Sequence, residues 1–186
     1  MLMKNRFQAI LISALTTVAI FGVVIYTSCN KDRCKTIVCA YGGVCNDGVC
    51  TCRSGYEGPT CETIARNKFL GEWTVFEKGS LTNKAQYPIK IQPGIDITDV
   101  VIINLYNYFF SISLRGSVIN DTLYIPNQQY LGKVVFGVGF IYSENTYTQY
   151  GAIAMRYEVI DTATQTVNDF GFNEIVDHSK PSIWNK

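Results

Sequence analysis

Residues 134–140 read VVFGVGF, and the reading of this stretch decides the fold class. Successive side chains of an extended strand point to opposite faces. Val134, Phe136, Val138 and Phe140 therefore share one face, and Gly137 and Gly139 fall on the other. A glycine inside a strand marks a bend, a bulge or a close backbone approach, all of which help a sheet to curl. The same period of two extends outward along the chain. Ile153, Met155, Tyr157 and Val159 alternate with Ala154, Arg156 and Glu158, and Phe110, Ile112 and Leu114 alternate with Ser111, Ser113 and Arg115. Trp73 and Val75 open an earlier strand, and residues 100–105 form a more continuous apolar run. Turn-forming residues punctuate these runs at Gly79-Ser80, Pro93-Gly94, Gly116, Asn120-Asp121, Pro126-Asn127 and Asn145. No apolar pattern of helical period competes. The expectation is a mainly β chain in which residues 68–186 form an antiparallel barrel or sandwich.

The chain has 186 residues, a net charge of +1, 17% charged and 13% aromatic residues. That balance lacks the basic face of a nucleic-acid protein and the polarity of a disordered chain. Cysteine is distributed unevenly: all seven lie between positions 29 and 61. Residues 66–186 contain none, and a segment of that length can bury a core without covalent staples.

The N-terminus reads as an address. Lys4 and Arg6 precede an apolar run over residues 9–26, the order of a secretory signal. The run is also long enough to span a bilayer. A cleaved signal and an uncleaved single-span anchor are the two readings, and both export everything after residue 29. Thr27-Ser28-Cys29 resembles the end of a bacterial lipoprotein signal, although Tyr26 stands where Leu, Val or Ile is usual. Asn30-Lys31-Asp32 after it is similar to the start of surface lipoproteins of the Bacteroidetes. The resemblance implies a signal peptide over 1–28, lipidation of Cys29, a tether over 29–33, and an outer-membrane or cell-surface location reached through the lipid.

Without Cys29, six cysteines remain, spaced C-x4-C-x5-C-x4-C-x-C-x8-C over residues 34–61. An even count in a short exported segment reads as a disulfide framework, and six cysteines allow fifteen pairings. A segment this short cannot fold on apolar burial alone. Zinc pairs usually need two to four intervening residues, so Cys50-x-Cys52 is a poor zinc motif. The stretch CKTIVCAYGGVCNDGVCTCRSGYEGPTC resembles an EGF-like domain of the tenascin type, including the ending Gly55-Tyr56-Glu57-Gly58-Pro59-Thr60-Cys61. That resemblance implies the pairs Cys34–Cys45, Cys39–Cys50 and Cys52–Cys61. Asp47-Gly48 is expected to turn the small hairpin. The acidic cluster of calcium-binding EGF domains is missing, so calcium is not expected. Residues 62–67 are a short linker.

Phe69-Leu70-Gly71-Glu72-Trp73 resembles the G-x-W opening of lipocalin-like barrels. Residues 102–126, with Asn104-Leu105-Tyr106 and the strand end Leu123-Tyr124-Ile125-Pro126, resemble the lipocalin-like β domains of Bacteroidetes lipoproteins. This implies that Trp73 closes one barrel end and is structural.

Catalytic chemistry is not expected. His178 is the single histidine, and consecutive Asp177-His178-Ser179 side chains do not face one another. Gly137-Val138-Gly139 lies in a strand pattern rather than before a helix, so it is no dinucleotide motif. Asp96 and Asp99 read as solvent-facing loop acids. Neither a cofactor nor a metal is implied. Tyr142, Tyr147 and Tyr150, set among small polar residues, are candidates for contact with a protein or glycan, because tyrosine offers wide contact area at low entropy cost. Asp121-Thr122-Leu123 and Asp161-Thr162-Ala163 resemble the Bacteroidetes O-glycosylation pattern at Thr122 and Thr162. The expectation is a membrane-tethered binding or structural module with the EGF-like segment as spacer. The alternative is a lipocalin-like carrier of a small apolar ligand, which requires a barrel cavity.

Overall fold

The structure is a computed structural model that describes Thr16 and residues 33–108, 113–142, 151–173 and 180–186. The signal segment (Thr16 apart), Cys29, Tyr147, Tyr150, Asn145, Phe110 to Ile112 and His178 lie outside the described residues. No helix among the described residues is long and apolar enough to cross a membrane.

The N-terminal module is small and held by disulfides. Val44–Asn46 (β1) and Val49–Thr51 (β2) form a hairpin, and Tyr56–Glu57 (β3) pairs with Thr63–Ile64 (β4). Asp47 and Gly48 link β1 to β2, both at positive φ, the conformation of a two-residue hairpin turn. Disulfides join Cys34 to Cys45, Cys39 to Cys50 and Cys52 to Cys61, with Cα separations of 5.8, 5.7 and 5.3 Å. These are the pairs that the resemblance implies. Tyr41 stacks on Tyr56 with ring centroids 4.4 Å apart.

The rest is a closed antiparallel barrel of eight strands, not a sandwich. Gly71–Glu77 (β5), Ala85–Pro93 (β6), Asp99–Ile103 (β7), Ser113–Ile119 (β8), Thr122–Tyr130 (β9), Lys133–Tyr142 (β10) and Ala152–Asp161 (β11) follow one another up and down. Val167–Phe170 (β12) then pairs with the far end of β11. The last strand, Ser182–Asn185 (β13), inserts between β11 and β5 and closes the ring. Strand directions fix which loops meet. The start of β5, the β6–β7 and β8–β9 turns and the chain end share one end, called proximal here. The β5–β6 hairpin loop, the β7–β8 segment, the β9–β10 turn and β12 share the other, distal end.

Large apolar side chains point into the interior. Trp73, Val75, Tyr87, Ile89, Ile91, Ile102, Leu114, Leu123, Met155, Tyr157, Phe170 and Trp184 belong to one continuous buried cluster. Each large apolar side chain so buried contributes about 1.5–3 kcal/mol before entropy is counted. Trp73 sits near the proximal end, its indole N–H donating to the Phe69 carbonyl at 2.7 Å, with the Lys186 ammonium 4.8 Å above the ring centroid. Phe170 lies at the distal end, stacked on Tyr157 at 4.3 Å and met edge-on by Tyr106. In β10, Gly137 turns inward; a Cβ there would lie 2.5 Å from the Tyr157 Cβ, so the missing side chain is what admits the β11 ring.

Two turn signals are corrected. Gly116 lies inside β8, packed under β7 and β9: a Cβ there would come within 3.1 Å of Val100 and 3.2 Å of Leu123. Pro126-Asn127 lies inside β9, where two residues oppose Phe136 alone and form a bulge. Proline has no N–H to give, and the bulge is where the ladder does not ask for one. Past the bulge the Gln128 side chain replaces the broken β8 pairing, accepting from the Arg115 N–H and donating to the Arg115 carbonyl.

The two units touch at the proximal end. Residues 62–67 carry β4 and the start of a 3-10 turn, Ala65–Lys68. The Arg66 guanidinium donates to the carbonyls of Gly94, Asp96 and Asp99, pinning the β6–β7 loop. Lys68 bridges Glu57 of the disulfide module and Asp121 of the barrel.

Candidate functional site

Two features at the distal end carry polar chemistry, and they share Glu77. Trp73, Val75 and Glu77 have the same inward parity on β5, so the strand that buries an indole also delivers a carboxylate to the wall. Glu77 keeps 9% exposure. The Tyr87 hydroxyl donates to its Oε1 at 2.6 Å. The Tyr157 and Ser182 hydroxyls donate to Oε2 at 2.8 and 2.7 Å. The Trp184 indole N–H in turn donates to Ser182 Oγ at 2.9 Å. Strands β5, β6, β11 and β13 thus meet on one carboxyl group, at the seam where the last strand closes the barrel.

Burial pushes the Glu77 carboxyl above its ordinary value, and its three hydroxyl donors oppose that shift without reversing it. Burial, reinforced by the Glu77 charge, raises both phenols, so Tyr87 and Tyr157 remain neutral donors. Perturbed groups mark functional sites and structural networks alike. Here every donor points at the carboxylate, which makes the network a fastening of the barrel wall.

Outside this wall lies an open pocket of about 660 Å³. The β5–β6 hairpin supplies Phe76, Lys78 and Lys84, and the approach to β13 supplies Lys180 and Pro181. The hairpin loop is held from behind. Ser80 N–H donates to the Asp169 carbonyl at 2.9 Å, and Ser80 Oγ accepts from the Asp169 N–H at 3.0 Å. Leu81 N–H donates to Asn168 Oδ1 at 2.8 Å, while Asn168 Nδ2 donates to Thr82 Oγ1 and to the Tyr106 hydroxyl. Gly79 is required under this clamp, since a Cβ would fall 2.2 Å from Asn168 Oδ1.

The residues singled out from sequence lie elsewhere. Tyr142 ends β10 at the proximal end, half-buried, and Thr122 opens β9 near it. Thr162 lies in the distal turn after β11, its hydroxyl donating to the Gly132 carbonyl at 2.8 Å. Cys29, Tyr147 and Tyr150 fall outside the described residues. Asp96 and Asp99 present backbone carbonyls to Arg66. Sequence reading missed Glu77, Tyr87, Tyr157 and Ser182 as a cluster, although the inward parity of Glu77 after Trp73 and Val75 was a usable signal.

Three disulfides fit an oxidising, exported setting, and a disulfide-rich module followed by a β-barrel fits an extracellular binding or carrier domain. The pocket that the described residues form at the distal end is open to solvent and offers a place for a ligand beside the Glu77 wall. No protein-family model and no solved structure matches the chain.

Proposed function

We propose that the chain is a lipid-anchored surface protein of the Bacteroidetes type that works by binding, not catalysis, with its distal pocket as the contact site. Cys29 carries the lipid, the EGF-like segment is a stapled spacer, and the lipocalin-like barrel is the presenting domain. The observation that carries this reading is positional. The pocket opens at the barrel end opposite the disulfide module, which is the side from which the chain leads back to Cys29. A tether there directs the pocket away from the membrane. Lys68 and Arg66 brace the joint, so the spacer transmits orientation as well as distance. Glu77 supports a binding role, because both of its oxygens are committed to hydroxyl donors.

Two acyl chains suit a stable anchor, since each buried CH₂ contributes about 0.8 kcal/mol and a single chain holds only marginally. The test is metabolic labelling with an alkyne fatty acid, followed by protease treatment of intact cells. The native chain should label and be shaved from the surface. Cys29→Ser should remain an unlabelled, unprocessed precursor. Labelling of that variant would refute the anchor, and a labelled chain resistant to shaving on intact cells but cleaved after lysis would refute surface presentation.

A further inference from the structure

Lys78, Lys84 and Lys180 line the distal pocket, and among the described residues none of the three forms an ion pair. Glu77 is the carboxylate in the lining, and its oxygens face the Tyr87, Tyr157 and Ser182 hydroxyls. Three cations lining a concave surface, with no ion-pair partner among the described residues, create a positive field that concentrates anions. Lysine is a compact point charge without the planar fork of arginine, so it holds anionic oxygens of several geometries. The lining also carries Phe76, 42% exposed, and Pro181, together with the polar Ser80 and Gln86. An exposed aromatic face beside charged groups suits the apolar C–H face of a sugar ring that carries anionic substituents. The pocket volume lies within the ~300–1,000 Å³ range of small-ligand sites. Its open mouth and the one aromatic ring in its lining suit a sugar stacked on one face better than a base needing two walls. The Asn168 and Asp169 clamp fixes the hairpin beforehand, so little ordering cost falls on the ligand.

We propose that this pocket binds an acidic saccharide, its anionic groups held by Lys78, Lys84 and Lys180 and a ring laid against Phe76. The inference rests on the distal pocket being the contact site, and it adds the ligand's chemistry.

The test is calorimetric titration of the full chain in non-ionic detergent with a trisulfated heparin disaccharide. Chitobiose, inorganic sulfate and adenosine monophosphate serve as comparators. Saturable one-to-one binding is expected, weakening with added salt. The triple variant K78A/K84A/K180A should bind at least about tenfold more weakly. Phe76→Ala should also weaken binding, and each comparator should bind at least about tenfold more weakly than the disaccharide. The three lysines are exposed, so an unchanged thermal midpoint should accompany the lost affinity. Undiminished binding by the triple variant would overturn the site. Sulfate or the nucleotide binding as tightly as the disaccharide would overturn the saccharide assignment. A chain that is acylated and surface-exposed yet binds no disaccharide would overturn the ligand class while leaving the anchored binding module in place.

Discussion

The Tyr157 hydroxyl reaches across the barrel wall to the Glu77 carboxylate, 2.8 Å away and 80 residues distant in sequence. The bond joins β11 to β5, strands that become near neighbours only because β13 inserts between them. A hydrogen bond to a buried charged group is worth more than a neutral one. Tyr157→Phe should therefore cost about 1.5–3 kcal/mol, seen as a lower urea midpoint. Tyr87→Phe should cost a similar amount through Oε1. A loss under about 0.5 kcal/mol in both would mean that the carboxyl group does not fasten the seam.

Glu77 and Asp161 should answer pH in opposite senses. Burial raises Glu77 above its ordinary 4.5, so the folded chain retains a proton that the unfolded chain has released. Its stabilising contribution is complete below about pH 4.5 and is lost as pH rises through the folded value. The stability of the native chain minus that of Glu77→Gln should fall as pH rises above 4.5. A difference that rises there would exclude the raised carboxyl.

Asp161 is lowered to about 2 from 3.8, first by the Lys133 ammonium donating at 3.0 Å, then by the Thr164 and Ala163 N–H groups. Its contribution is present above pH 3.8 and is lost as pH falls through about 2. Carbon-detected NMR should find that midpoint, and Lys133→Gln should move it upward toward the ordinary range. An unmoved midpoint would remove Lys133 as the principal cause.

Gly137→Ala places a methyl group 2.5 Å from the Tyr157 Cβ and 2.6 Å from the Arg156 carbonyl oxygen. Both neighbours belong to a fully paired stretch of β11, so neither can retreat cheaply. The cost should be about 1–3 kcal/mol, read as a fall in the thermal midpoint. A substitution without effect there would show that β10 and β11 are not in this register.

Much of the barrel was legible from parity. Ile153, Met155, Tyr157 and Val159 alternate cleanly with polar partners, and all four point inward in β11. Residues 134–140 gave the curl: small inward glycines with outward Phe136 and Phe140. β6 was hidden by Pro88, which ordinarily argues against a strand. It is tolerated because β7 pairs only with Lys90 to Pro93, beyond Pro88, whose carbonyl is taken by Asn104. β13 was not legible, because four residues fix no partner and its place between β11 and β5 is a property of ring closure. The pocket was illegible for the same reason: Lys78 and Lys84 meet Lys180 only once β13 has closed the barrel.

The most direct check is the intact mass of the chain extracted from membranes, taken before and after reduction. It should correspond to a polypeptide beginning at Cys29 and bearing acyl groups. Reduction should add six hydrogens, two for each disulfide. A full-length, unacylated mass that reduction leaves unchanged would refute both the anchor and the stapled module.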